Sequence, residues 1–194
     1  MRVTGNILSL DIGNLMGFAK GAPLSDPVSG TVRLRKNHEP RETTLGNLIA
    51  WLDQEFTAAA PELLVKETML SLQAFANMDS GESSYKLQSQ MHGIIEGMCQ
   101  RYGIPFDDVA DSTARKHLLG IGRLGDRDAT KAAVVQRCKL LKYVPADSTD
   151  HNRADALATW DYACFTYGRG SKSTTELHLF EQKSKGASSH ARRR

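Results

Sequence analysis

ILSLDIGNLMG, residues 7–17, decides how the rest of the chain is read. Ile7 to Leu10 is a short apolar run that ends on Asp11 and Gly13, the pattern of a buried strand whose C-terminal end presents a carboxylate. The β-like runs 17–21 and 28–34 follow, separated by a turn rich in Pro and Ser, and predict a hairpin or meander beside that first strand.

Further out, Leu45, Leu48, Ile49, Leu52 and Phe56 recur at helical spacing, with Thr43 or Thr44 as the cap and Pro61 beyond the end. Residues 63–65 form the next apolar strand, which runs directly into Lys66 and Glu67. Leu87, Met91, Ile94, Ile95, Met98 and Tyr102 make one apolar stripe, predicting a long helix stopped by Gly103. A strand over 104–110, a short helix to Leu119 capped by Asp111 or Ser112, and helices over 129–141 and 152–167 complete the order. Strands and helices interleave without an internal repeat, which predicts an α/β layer fold.

The chain has 194 residues, 40% hydrophobic and 24% charged, enough for one well-cored domain and too few for two large lobes. No apolar run approaches the roughly 18 residues of a membrane span, and residues 1–10 lack the pattern of a secretory signal. The expectation is an intracellular, cytoplasmic protein with no membrane partner. Cys99, Cys138 and Cys164 are odd in number and never paired as Cys-x-x-Cys, so they are expected as reduced core residues. The net charge of +3 is unevenly placed: residues 171–194 hold six Lys or Arg against two Glu, leaving the body close to neutral. The division is therefore one domain over 1–168 and a basic tail over 169–194, whose Ser, Lys and Gly content predicts disorder. A nearly neutral body gives no general field for nucleic acid, so such a partner would be gripped by local basic clusters or by the tail.

Three acids stand where the fold alone does not require them. Asp11 and Glu67 each end a strand, and Asp155 lies inside a helix between Ala154 and Ala156. A helix-interior Asp among apolar neighbours is costly unless its charge is compensated. Carboxylates converging from two strand ends and a helix make an all-oxygen site suited to Mg²⁺. Two such ions about 4 Å apart activate a water and stabilise the leaving oxygen in phosphodiester hydrolysis.

ILSLDIGNLMG, then VKET (65–68), RKHLLGIGR (115–123) and DHNRADALATWDYA (150–163), in that order, resemble the RuvC-type Holliday junction resolvases of phages and prophages. The resemblance runs from Ile7 to about Tyr167. It implies a ribonuclease H-like fold, a five-stranded mixed sheet with helices on both faces, and a homodimer that cuts two strands of a four-way DNA junction. By position in the motif, Asp11, Glu67 and Asp155 correspond to the family's metal-binding acids. Better known members carry an acid or a histidine three residues before the last aspartate, where this chain has Asn152. Positions i−3 and i−4 both flank residue i on a helix, so Asn152 and His151 are both candidate ligands, while Asp150 is a candidate cap. A neutral side chain there lowers the charge of the site, which points to weakened binding of the second ion, a Mn²⁺ preference or lost activity.

Arg115, Lys116, Arg123 and Lys131, spread around Gly120, Gly122 and Gly125, form a basic run that fits DNA phosphates. Family members often place an aromatic wedge three residues after the glutamate. Here that position is Leu70, with Phe75 nearby as a second apolar wedge. The homodimer interface is expected on the helix carrying Leu87 to Met98, whose stripe also serves the core. The rival readings are a non-catalytic protein of the same fold that binds branched DNA and, less well supported, an actin-like ATPase.

Overall fold

The computed structural model describes residues 1–69, 71, 73, 81–121 and 124–174. In chain order the elements are β1 (Ile7–Asp11), β2 (Leu15–Gly21), β3 (Val28–Arg33), α1 (Glu42–Ala59), β4 (Leu63–Glu67), α2 (Gly81–Tyr102), β5 (Phe106–Val109), α3 (Asp111–Leu119), α4 (Arg127–Leu140) and α5 (His151–Tyr167). The strands form one mixed sheet in the order β3-β2-β1-β4-β5. The meander β1-β2-β3 is antiparallel, and β1, β4 and β5 run parallel. This is the α/β architecture expected, five strands with helices on both faces.

Side chains of a strand alternate between faces, and the two cores follow that alternation. Ile7, Leu63, Val65 and Val109 face a core built with α3, α4 and α5. Leu8, Leu10 and Leu64 face a second core with Leu48, Leu52 and Phe56 of α1 and Met91, Ile95 and Met98 of α2. Met91, Ile95 and Met98 of the α2 stripe are thus buried in the chain's own core, while Leu87, Ile94 and Tyr102 are half-buried at its margin. Gly103, at φ +66°, ends α2 in the left-handed conformation that glycine adopts without strain. Cys99, Cys138 and Cys164 are free and buried, as expected.

Two expected caps are corrected. Residue 41, an arginine, stands at the N-cap of α1, and Thr44 is buried inside the helix against the core. Ala110, whose methyl side chain has nothing to bond with, occupies the N-cap of α3, and Asp111 inside the first turn pairs with Arg115 one turn on. Asp150 does cap α5, its carboxylate accepting from the Arg153 backbone N–H at 3.0 Å and from the Thr31 hydroxyl at 2.9 Å. Ser171 and Ser173, beyond the boundary placed at Gly168, are buried against the body, so the packed chain continues to Thr174.

Candidate active site

Three neighbouring parallel strands carry acids to one edge of the sheet. β1 ends on Asp11 and β4 on Glu67, and β5 leads through Ala110 into Asp111, the first residue of α3. Carboxyl ends of parallel strands are where open α/β sheets assemble their sites. By the two-residue alternation, Asp11 shares a face with Ile7 and Ser9, and Glu67 shares it with Leu63 and Val65. The Ser9 hydroxyl donates to the Ala156 carbonyl at 2.7 Å, which lays α5 across that face and brings Asp155 over the strand ends.

A glycine sets the height of the helix. Gly17 faces Asp11 across the β1–β2 ladder, and a Cβ on it would lie 2.0 Å from the Asn152 carbonyl oxygen. Only hydrogen at that position lets the first turn of α5 approach the sheet so closely.

The carboxylates are close enough to disturb one another. Burial raises the Asp11 carboxyl, and the charges of Asp155 and Asp111 raise it further. Burial likewise raises Glu67, followed by Asp111 and Asp11. The hydrogen bond between them lowers Asp11 and raises Glu67. Asp155, 8% exposed, is raised chiefly by burial, against the opposing pull of Arg115. Arg115 reaches Asp155 Oδ1 from Nε at 3.3 Å and from Nη2 at 3.2 Å, and Asp111 Oδ2 from Nη2 at 2.9 Å. Lys131 of α4 is near enough to lower Asp11 and Asp155.

No protein-family model matches the chain, and no curated protein sequence matches it. Solved structures do. Thermus thermophilus RuvC in complex with a Holliday junction substrate aligns over 83% of this chain and 94% of its own, with a TM-score of 0.60 at 14% identity. A second structure of Thermus thermophilus RuvC gives 0.60 at 16% identity, over 82% and 94% of the two chains. The yeast mitochondrial Holliday junction resolvase Ydc2 gives 0.57 at 8% identity, over 96% and 85%. This chain has the ribonuclease H-like fold of RuvC.

On that RuvC-like frame, Asp11, Glu67 and Asp155 come together as the sequence predicts. Asp111 joins them, a member that sequence reasoning assigned to capping. Its signal was available: it comes just after a strand, at the edge where Asp11 and Glu67 end theirs. His151 is exposed as the first residue of α5, and Asn152 is half-buried behind it. Of the basic residues expected at DNA, Lys116 is exposed and Lys131 is half-buried near the acids. Arg115 is drawn inward onto two carboxylates. Leu70, Phe75 and Arg123 lie outside the described residues.

Among the described residues no three His, Cys, Asp or Glu side chains stand so as to hold one ion in their present poses. In those poses Arg115 sits across Asp155 and Asp111, and Asp11 and Glu67 are hydrogen-bonded to each other. Asp11, Glu67 and Asp155, with Asp111 beside them paired to Arg115, still form an oxygen-only, electron-rich donor set. Such a set fits a hard divalent cation once Arg115 gives way.

Two further polar networks lie away from these acids. Lys66, 0% exposed on the opposite face of β4, reaches Glu96 at 3.1 Å and His92 Nδ1 at 3.1 Å and forms an ion pair with Asp108. Asp161 of α5 accepts from Tyr143 at 2.5 Å, from His117 Nε2 at 3.0 Å and from Ser173. This is no hydrolase triad, since the same His117 nitrogen faces both the acid and the serines. It ties the segment after α5 to the body.

Proposed function

We propose that this chain is a divalent-metal-dependent, structure-selective endonuclease that hydrolyses phosphodiester bonds in branched DNA, the four-way Holliday junction first among them. The convergence of Asp11, Glu67 and Asp155 at the carboxyl ends of the parallel strands, on a fold shared with junction resolvases, carries this reading. Asp11, Glu67 and Asp155 would hold Mg²⁺ or Mn²⁺, with Asn152 or His151 as the neighbour completing the set. Bound there, the metal supplies an activated water and charge stabilisation for the leaving oxygen.

The chain's own residues perform the rest. Burial of Asp11, Glu67 and Asp155 keeps these carboxylates poorly solvated, so they favour a multivalent cation over water. Lys116, Lys131 and Arg123 offer cations to phosphates flanking the cut, contacts that position the duplex without reading its bases. Leu70 and Phe75 are the candidates to wedge an opened junction base. A homodimer suits the task, because symmetric incision needs two sites related by a two-fold axis. The half-buried Leu87 and Ile94 on α2 keep that helix as the candidate contact between copies.

The test is a synthetic four-way junction incubated with the purified chain and Mg²⁺, Mn²⁺ or EDTA. Paired incision with either metal and none with EDTA is expected. Tight junction binding without cutting under any condition would replace this reading with that of a non-catalytic junction-binding protein.

A further inference from the structure

We propose that Asp111 is a positioning residue that holds Arg115 while a divalent cation occupies Asp155. The inference rests on the nuclease reading and concerns this chain's particular residues. Arg115 is shared between two carboxylates of different depth. The Asp155 side chain is 9% exposed and that of Asp111 is 33% exposed, with the guanidinium between them at 3.2 and 2.9 Å. Asp111 is one helical turn before Arg115 on α3, so this pair moves as one unit whatever happens at α5.

The consequence follows from the cost of stranding a charge. A cation that takes Asp155 must displace the guanidinium, whose side chain is only 19% exposed. With Asp111 in place, the displaced group keeps an ion pair and turns toward the rim of the site. Without Asp111, each cation that binds leaves a largely buried arginine without that partner, an expensive outcome. Asp111 thereby lowers the competition between Arg115 and the metal without touching the metal itself.

Mn²⁺ binding to the full chain without DNA, followed by titration calorimetry, reads this directly. Asp111→Asn is expected to weaken Mn²⁺ binding about tenfold, and Asp111→Glu, which keeps an i,i+4 acid for Arg115, to recover most of it. Arg115→Gln should tighten binding, because Asp155 loses its competitor. In the Arg115→Gln background, Asp111→Asn should change the affinity by less than about twofold, the signature of action through Arg115. Thermal melts of each variant confirm folding. An undiminished loss in that background would make Asp111 a ligand or a bare charge and overturn the inference, as would an Asp111→Asn chain that titrates like wild type. A wild type that cuts junctions while Asp111→Asn binds Mn²⁺ normally leaves the nuclease reading intact and sinks only the role of Asp111. A wild type that binds no Mn²⁺ sinks both.

Discussion

Lys66 and Glu67 are consecutive residues of β4, and the sheet sends them to opposite faces with opposite fates. Lys66 is fully enclosed beneath α2, with Glu96, Asp108 and His92 at its ammonium. Burial and the adjacent Lys66 charge hold His92 below the usual imidazole range, so its Nδ1 stays free to accept from that ammonium. Glu67 meets Asp11, Asp111 and Asp155, which raise its proton affinity on top of the effect of burial. One charge is satisfied and the other is crowded by its own sign. A buried ion surrounded by partners serves the fold, whereas a buried group surrounded by like charges persists against the fold's interest and marks where chemistry is done.

The comparison breaks most visibly if the crowded acids prove dispensable. Asp11→Asn, Glu67→Gln and Asp155→Asn are each expected to abolish metal-dependent cutting of a four-way junction while junction binding, measured by gel shift, survives. Undiminished cleavage by any one of them would refute the assignment. On the other face, Lys66→Ala should cost about 3 kcal/mol by emptying the space its enclosed stem fills, a melting point lower by about 6–12 °C. Glu96 and Asp108, still 45% and 41% exposed, regain water and keep the loss from growing further. Cutting per folded molecule should be retained, and a melting point equal to wild type would show that Lys66 is not the settled pole.

Gly17→Ala sharpens the geometry. The clash with the Asn152 carbonyl should destabilise by about 1–3 kcal/mol and lift Asp155 from the strand ends, so that cleavage falls more than folding does. Circular dichroism melts beside the junction assay separate the two, and equal losses would deny the glycine its role in the site.

The smallest expected effect is a pH slope. Glu67 titrates higher in the folded chain, at about 9 against an ordinary 4.5, so the folded state holds a proton that the unfolded chain has released. Stability without added metal therefore declines as pH rises between those values. Asp161 acts the other way. Burial raises it, but hydrogen bonds from His117, Ser173 and Tyr143 outweigh that and leave it lowered, so its contribution holds at neutral pH and fades in acid. Wild type should melt higher near pH 6 than near pH 9, and Glu67→Gln should flatten that difference. An unchanged slope in the variant would place the titration elsewhere.

Most of the fold was legible because its signals are local. The apolar run before Asp11, the stripe from Leu87 to Tyr102 and the stop at Gly103 each predict their element without reference to the rest. The three acids were legible through a different rule, that a charge at a strand end or inside an apolar helix needs a reason. Asp111 escaped because first-turn acids are common helix caps, and only the neighbouring strands show that its helix starts at the same edge as Asp11 and Glu67. Arg115 escaped for a related reason: a basic run reads as a DNA surface until tertiary packing shows which of its members faces inward. The network around Asp161 joins residues as distant as His117 and Ser173, and no spacing in the chain announces it.

That last network bears on how the molecule is handled. Ser173 donates to Asp161, and Ser171 lies 3.3 Å from His117. Anyone shortening the lysine- and arginine-rich C-terminal extension, or fusing a reporter there, should place the junction after Thr174. A cut at Gly168 would strip a donor from an enclosed carboxylate and trade a surface edit for a wound in the interior.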